Sequence, residues 1–202
     1  MFEPTVRDDV LRVSQPATRW LSTGWNGGRS RWGAAYNVTV AEGFERTDLG
    51  AYRDERLRRA GFKKESHAGR GDDPPALFTG VAMEHARGAR YGPVVAYATV
   101  GLSNPAMLPV ETEGASDPAP DPTGGAGTAP EQPADGTPRR PGTVNLIVGT
   151  NRCLAPGAAE NLVAVASEAK AATLLAAAGV PGTTSDAVVV GDDPEGEPAA
   201  FS

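Results

Sequence analysis

Apolar residues along the chain fall into short β-rich runs and two stretches of helical spacing. Trp20 to Gly24 reads as a strand entering the turn Asn26-Gly27-Gly28, and Trp32 to Val40 (WGAAYNVTV) as its return partner, a hairpin signal. In Asp48 to Ala60, Leu49, Tyr52, Leu57 and Ala60 lie near helical spacing, with acids early, arginines late and Gly61 as a stop. Pro75 to Met83 (PALFTGVAM) predicts a short buried strand, and Glu84 to Arg90 a helical turn. Pro93 to Leu102 (PVVAYATVGL) and Thr143 to Val148 (TVNLIV) are β-rich and bounded by Gly, Pro and Asn. Gly157 to Ala178 is rich in alanine, preceded by Pro156 and ended by Gly179-Val180-Pro181, and is the strongest helix signal present. Ala187 to Val190 (AVVV) reads as the last strand, and GDDPEGEPAAFS as a polar, frayed tail.

The order β-β-α-β-β-(insertion)-β-α-β predicts an α+β fold, a single domain over 1–202 whose mixed β-sheet is packed by the long Ala-rich helix. The interruption runs from Pro109 to Gly142 and holds 8 of the 18 prolines and 6 of the 25 glycines, with no aromatic residue. Such a segment cannot bury enough apolar surface to offset the entropy of ordering it, so it reads as a disordered, acidic insertion. A long excursion between two strands is what an expanded hairpin or crossover loop looks like. The two halves therefore share one sheet.

A length of 202 residues suffices for one sizeable core. No stretch reaches the ~18 uninterrupted apolar residues of a membrane span, and the acidic N-terminus lacks the pattern of a signal peptide. A soluble, cytoplasmic protein without membrane partners is expected, its oligomeric state left open. The net charge of −6 argues against nucleic acid as a partner. That charge is polarised: residues 1–108 carry +3, 109–142 carry −4 and 143–202 carry −5, and one reading is that the basic and acidic halves attract each other and pack as one domain, although individual surface charges contribute little. Cys153 is the single cysteine, which precludes an internal disulfide and a Cys-based zinc cage.

Walker, GxGxxG, GxSxG and HExxH signatures are absent, and His67, His85 and Cys153 are scattered rather than at ligand spacing; no protein-bound metal is expected. What remains is a set of polar residues at strand ends. Ser22, Thr23, Asn26, Gly27 and Gly28 follow the first strand, Ser103 and Asn104 follow the strand before the insertion, and Asn37 and Asn145 lie within apolar strands. An Asn in such a strand is either satisfied structurally or faces a ligand, because an unpartnered amide costs about 1–3 kcal/mol. On the long helix Asn161, Val165, Glu168 and Ala172 share a stripe, with Lys170 about 200° from Glu168. A small-residue surface around Glu168 would place its carboxylate against the sheet and raise its pKa; a solvated face is the alternative. Asp186, opening the last strand, is either a turn acceptor or a site carboxylate.

Taken together, LSTGWNGG, SNPAMLP, GTVNLIVGTN, SEAKAATLLAAAGVP and TTSDAVVV resemble, in order and approximate spacing, the adenosylcobinamide amidohydrolase family (CbiZ), and GVAMEHARGARYGPV resembles its haloarchaeal branch. The resemblance covers residues 10 to 200 outside the insertion. It implies hydrolysis of the amide joining the aminopropanol arm to the corrin ring of adenosylcobinamide, yielding adenosylcobyric acid for coenzyme B12 salvage; a non-catalytic corrinoid carrier is the second reading. No cofactor is implied, since the cobalt belongs to the corrinoid substrate. Related chains run on beyond the last strand, which predicts an uncovered sheet face or incomplete pocket where this one stops at Ser202. Amide hydrolysis needs a nucleophile, a base and oxyanion donors. The candidates on matching positions are Glu168 as base with His85 competing, water or Ser22 as nucleophile, and Asn26, Asn104, Asn145 or the Gly27-Gly28 amides as donors. Asn37 is a further strand-borne amide for the substrate, and Thr184 and Asp186 would hold its arm or peripheral amides.

Overall fold

The computed structural model describes residues 1–62, 73–106 and 142–199. Eight strands and two helices follow in the order β1 (Glu3–Arg7), β2 (Val10–Ser22), β3 (Gly28–Thr39), α1 (Leu49–Arg59), β4 (Ala76–Thr79), β5 (Arg87–Tyr91), β6 (Val94–Val100), β7 (Val144–Leu154), α2 (Ala158–Ala178) and β8 (Ala187–Ala199). All strands join one mixed sheet in the order β4-β3-β2-β8-β7-β6-β5, with β1 paired to β2. Pairing is antiparallel except for β3 with β4 and β7 with β8. The α+β expectation and the shared sheet hold; β6 and β7, on either side of 107–141, are direct neighbours. The predicted insertion lies, apart from Gly142, outside the described residues.

The sheet curls so that its edge strand β4 touches β7, although four strand-to-strand steps separate them. One face encloses a core of Phe2, Leu11, Val13, Trp20, Trp32, Ala35, Leu77, Met83, Val95, Ile147 and Val189. The other face is covered twice. Tyr52, Leu57, Ala60 and Phe62 of α1 and the turn after it pack on Val10, Ala34, Tyr36 and Val38, while Ala159, Leu162, Val163 and Ala166 of α2 pack on Val148, Val188 and Val190. Alternation along β3 shows the two-sided burial directly, since Ala34, Tyr36 and Val38 face α1 whereas Ala35 and Asn37 face inward.

Two strands escape the hydrophobic pattern because they bury almost nothing. The side chains of β1 and β5 are exposed at nearly every position, so neither alternates. β1 turns into β2 through Asp8 and Asp9, both with positive φ (45° and 54°), a left-handed pair that Asp tolerates. The helical turn expected over Glu84 to Arg90 is corrected to a 3-10 turn over Met83–His85 followed by β5. The expected tail after Val190 is, as far as Ala199, likewise part of β8, whose register with β7 shifts at a bulge near Asn151 and resumes from Arg152↔Glu197. Three of its four acids are bonded through their side chains: Asp192 pairs with Arg19, Asp193 accepts from Gln15, and Glu197 pairs with Arg152. Arg19–Asp192 and Arg29–Glu160 join the basic and acidic halves as their charges predict. In β2, Pro16 is accommodated because the ladder with β3 breaks between Ser14 and Thr18.

α2 is long and apolar enough, by length and composition, to cross a membrane. Its alanines give it that character, and one stripe of it packs on the sheet. Where β8 passes Trp20, a Cβ on Gly191 would lie 2.4 Å from the indole, which is buried and bonded through Nε1 to the Trp32 carbonyl. Gly191→Ala is therefore expected to destabilise the fold by about 1–3 kcal/mol through overpacking, read as a lower denaturant midpoint at unchanged slope.

Candidate functional site

A cleft of about 320 Å³ opens where the start of β7 and β8 meets β4 and the loop after β2; Thr23, Gly24, Trp25, Leu77, Phe78, Asn145, Ser185, Asp186 and Ala187 line it. The loop is shaped by side chains standing in for backbone. Ser22 Oγ accepts the Gly24 N–H at 3.1 Å, and Thr23 Oγ1 accepts the Val188 N–H at 2.9 Å, so the β2–β8 ladder continues one residue past the strand. Gly24 must lack a side chain, since a Cβ would stand 2.5 Å from Leu77 Cδ2.

The floor is a buried amide network. Asn37 Nδ2 donates to Thr99 Oγ1 at 2.9 Å, and Asn145 Nδ2 donates to Asn37 Oδ1 at 2.9 Å and to the Phe78 carbonyl at 3.0 Å. Since that carbonyl can only accept, it fixes the Asn145 amide with nitrogen toward β4. Asn145 Oδ1 is then left buried without a hydrogen-bond partner among the described residues. An acceptor in that condition is costly unless a ligand or water completes it.

One wall is built on Asp186. Its Oδ1 accepts from the Val144 N–H at 2.8 Å and from the Thr183 hydroxyl; its Oδ2 accepts from the Thr183 N–H at 3.0 Å and from Lys170 of α2. Burial, the largest single influence, pushes this carboxyl up, but the Lys170 ammonium and the three other donors together outweigh it and hold it below its ordinary 3.8. The carboxylate is thus ionised at neutral pH with all four lone-pair directions occupied. Beside it Ser185 Oγ lies 2.9 Å from Thr143 Oγ1, and Asn104 Nδ2 donates to Thr184 Oγ1 at 2.5 Å.

The predicted site residues divide accordingly. Asn145 and Asp186 line the cleft, and Asn104 and Thr184 pair beside Ser185. Asn37 is spent within the floor network, and Ser22 is buried just behind Gly24. Asn26 (φ 50°), Gly27 and Gly28 are exposed in the turn beyond Trp25 and do not line the cleft. His85 is exposed beside Glu84, away from the lining. Of the two readings of Glu168 the solvated face holds and burial against the sheet does not: Glu168 is exposed, as are Val165 and Ala172 of its stripe and the neighbouring Ala164. The packed stripe runs through Ala159, Leu162, Val163, Ala166, Lys170 and Leu174, so Lys170 is the helix residue that reaches the cleft wall. Trp25, Thr143, Lys170 and Ser185 were missed. The available signal was a lone lysine in register with the apolar stripe of a helix and an aspartate at the start of the facing strand. Among the described residues no group of three His, Cys, Asp or Glu could hold a metal ion.

Residues 3–202 match the family model described as adenosylcobinamide amidohydrolase (CbiZ). The chain is also 52% identical over 202 residues to the adenosylcobinamide amidohydrolase of Halobacterium salinarum, an alignment covering 100% of this chain and 78% of the relative. No solved structure matches.

Proposed function

Because the chain belongs to the adenosylcobinamide amidohydrolase family, we propose that it hydrolyses the amide between the aminopropanol arm and the corrin ring of adenosylcobinamide, releasing aminopropanol and adenosylcobyric acid. The observation that carries this onto particular residues is the unpartnered Oδ1 of Asn145, in the floor of a cleft whose other lining side chains are the apolar groups of Trp25, Leu77, Phe78 and Ala187, the hydroxyls of Thr23 and Ser185 and the Asp186 carboxylate. A secondary amide offers an N–H for that acceptor, and making the bond relieves a buried polar atom. Asn145 is accordingly the residue that orients the scissile bond. Ser185 offers its hydroxyl to the arm from the wall, whereas the Thr23 hydroxyl is committed to the Val188 carbonyl and N–H, and Asn104 and Thr184 present their amide and hydroxyl pair to peripheral amides of the ring.

Water is the attacking group in this reading. Its oxygen joins the carbonyl carbon, the C–N bond breaks and the nitrogen leaves protonated as the amine. Ser22 supports the cleft loop through Gly24. Asp186 does not accept from the substrate, since its lone pairs are taken; it fixes the positions of Val144 and Thr183. The cobalt enters and leaves within the corrinoid, and the reaction has a cytoplasmic setting.

The test is conversion of adenosylcobinamide to adenosylcobyric acid, followed by chromatography. Purified protein is expected to convert it fully, with dialysis against a chelator leaving the rate unchanged. Glu168→Gln is expected to retain wild-type turnover because that carboxylate faces solvent. Binding of the corrinoid without aminopropanol release would overturn the reading in favour of a carrier.

A further inference from the structure

The cleft is too small for the whole substrate. Its volume of about 320 Å³ is at the lower end for sites that enclose drug-sized ligands, and a corrin with its ring of amide arms is much larger than such a ligand. Only the arm fits inside, so the macrocycle must rest on the mouth. Trp25 is the exposed aromatic side chain of the lining, 37% accessible, whereas Trp20 and Trp32 are buried in the core.

Trp25 is held rather than loose. Phe78 meets its ring edge-on at 6.0 Å and 64°, and the guanidinium of Arg53, itself 2% exposed and tied to Asp54 and Asp73, lies 5.9 Å from the ring. Gly50 of α1 passes so close that a Cβ there would sit 3.4 Å from the indole Cη2. A large apolar surface fixed on three sides and open at the mouth of a cleft is pre-organised for a broad hydrophobic partner, and ordering it on binding loses little entropy. Resting on the proposed reaction, we infer that the Trp25 indole is the rest for the corrin macrocycle, while Asn145 and the cleft read the arm; Trp25 thereby selects corrinoids over small hydroxyalkyl amides. The arm and the upper axial ligand project from opposite faces of a corrin. With the arm in the cleft, the ring meets Trp25 by its lower face or edge, and the identity of the upper ligand is not read there.

Two probes separate the ring from the arm: adenosylcobyric acid, which has the macrocycle but no aminopropanol, and N-(2-hydroxypropyl)propanamide, which is the arm alone. Binding of the first is followed by equilibrium dialysis using the corrin's visible absorbance, and the second by its inhibition constant against adenosylcobinamide. Trp25→Ala is expected to weaken adenosylcobyric acid about tenfold or more, to raise KM for adenosylcobinamide with kcat little changed, and to leave the inhibition constant of the small amide unaltered. Trp25→Phe is expected to restore most of the corrinoid affinity, and replacing the adenosyl ligand by cyanide to leave the Trp25→Ala effect unchanged. Equal binding of adenosylcobyric acid by wild type and Trp25→Ala would overturn the inference, as would equal weakening of ring and arm probes, or an effect confined to adenosylated corrinoids. Failure of the proposed reaction would look different: wild type would bind adenosylcobyric acid through Trp25 yet release no aminopropanol. Absence of corrinoid binding by the wild type would overturn both.

Discussion

Asn145→Ala is expected to lower turnover of adenosylcobinamide about 100-fold, the scale at which misplacing a reacting group acts on rate. The substitution removes the only acceptor among the described cleft residues that lies buried with an empty lone pair and a fixed orientation. It also strips a donor from Asn37 Oδ1 and from the Phe78 carbonyl, so a loss of stability of about 2–5 kcal/mol accompanies it. Thr99→Val separates the two effects. It is nearly isosteric and leaves Asn37 Nδ2 without its acceptor, yet does not touch Asn145 Oδ1. It should lose about 1–3 kcal/mol in denaturant unfolding and keep kcat near the wild-type value. A second control changes the substrate. An ester in place of the amide has no N–H to give Asn145, so the ratio of wild-type to Asn145→Ala rates should collapse toward one. If the ratio stays large with the ester, or Thr99→Val loses turnover as fully as Asn145→Ala, the network acts by holding the fold and the orienting role is wrong.

How far such a site can be read from sequence depends on whether a residue's partners lie near it in the chain or across the fold. Asn37 and Asn145 stand out locally because each interrupts an apolar strand, but nothing local shows that they bond to one another across 108 positions. Only the curling of the sheet brings β3 and β7 together. The hairpin turn at Asn26, helix α1 and the ends of α2 were legible because turn and stop residues act over a few positions: Gly61, Gly157 and Gly179 all adopt positive φ where the helices begin or end. The face of α2 was not. With alanine on all sides, its hydrophobicity is nearly the same in every direction, so the small residues around Glu168 resembled a packing surface. Leu162, Val163, Leu174 and the misplaced lysine between them mark the true one. β1, β5 and the distal half of β8 were illegible for the opposite reason. They are held by backbone pairing, joined in β8 by the Arg152–Glu197 ion pair, and neither leaves apolar alternation in the sequence.

Asp186→Asn is expected to produce the largest loss of stability among single changes that preserve side-chain volume. Lys170 and Asp186 keep only 15% and 9% of their side-chain surface accessible, so removing one charge strands the other in a poorly hydrated position. Breaking a buried pair this way costs about 3–5 kcal/mol, and the residual water contact favours the lower end, about 3 kcal/mol. The asparagine also presents an NH2 where the carboxylate accepted, so at least one of Val144 N–H, Thr183 N–H, Thr183 Oγ1 and Lys170 loses its partner. Lys170→Met should cost a similar amount. The double variant Lys170→Met/Asp186→Asn should recover part of the sum, since no unpaired charge remains; that non-additivity is the measure of the pair. The pH dependence has a definite sign. Because the folded-state pKa of Asp186 lies below its ordinary 3.8, its contribution is fully present above about pH 4–5 and is lost as pH falls through 3.8 toward the lower folded value. Wild-type stability should therefore decline more steeply on acidification than that of Asp186→Asn, and the two unfolding free energies should converge at low pH. Parallel curves across that range would show that the Asp186 carboxylate is not preferentially charged in the folded state, and the wall of the cleft would have to be held by Thr183 and the backbone alone.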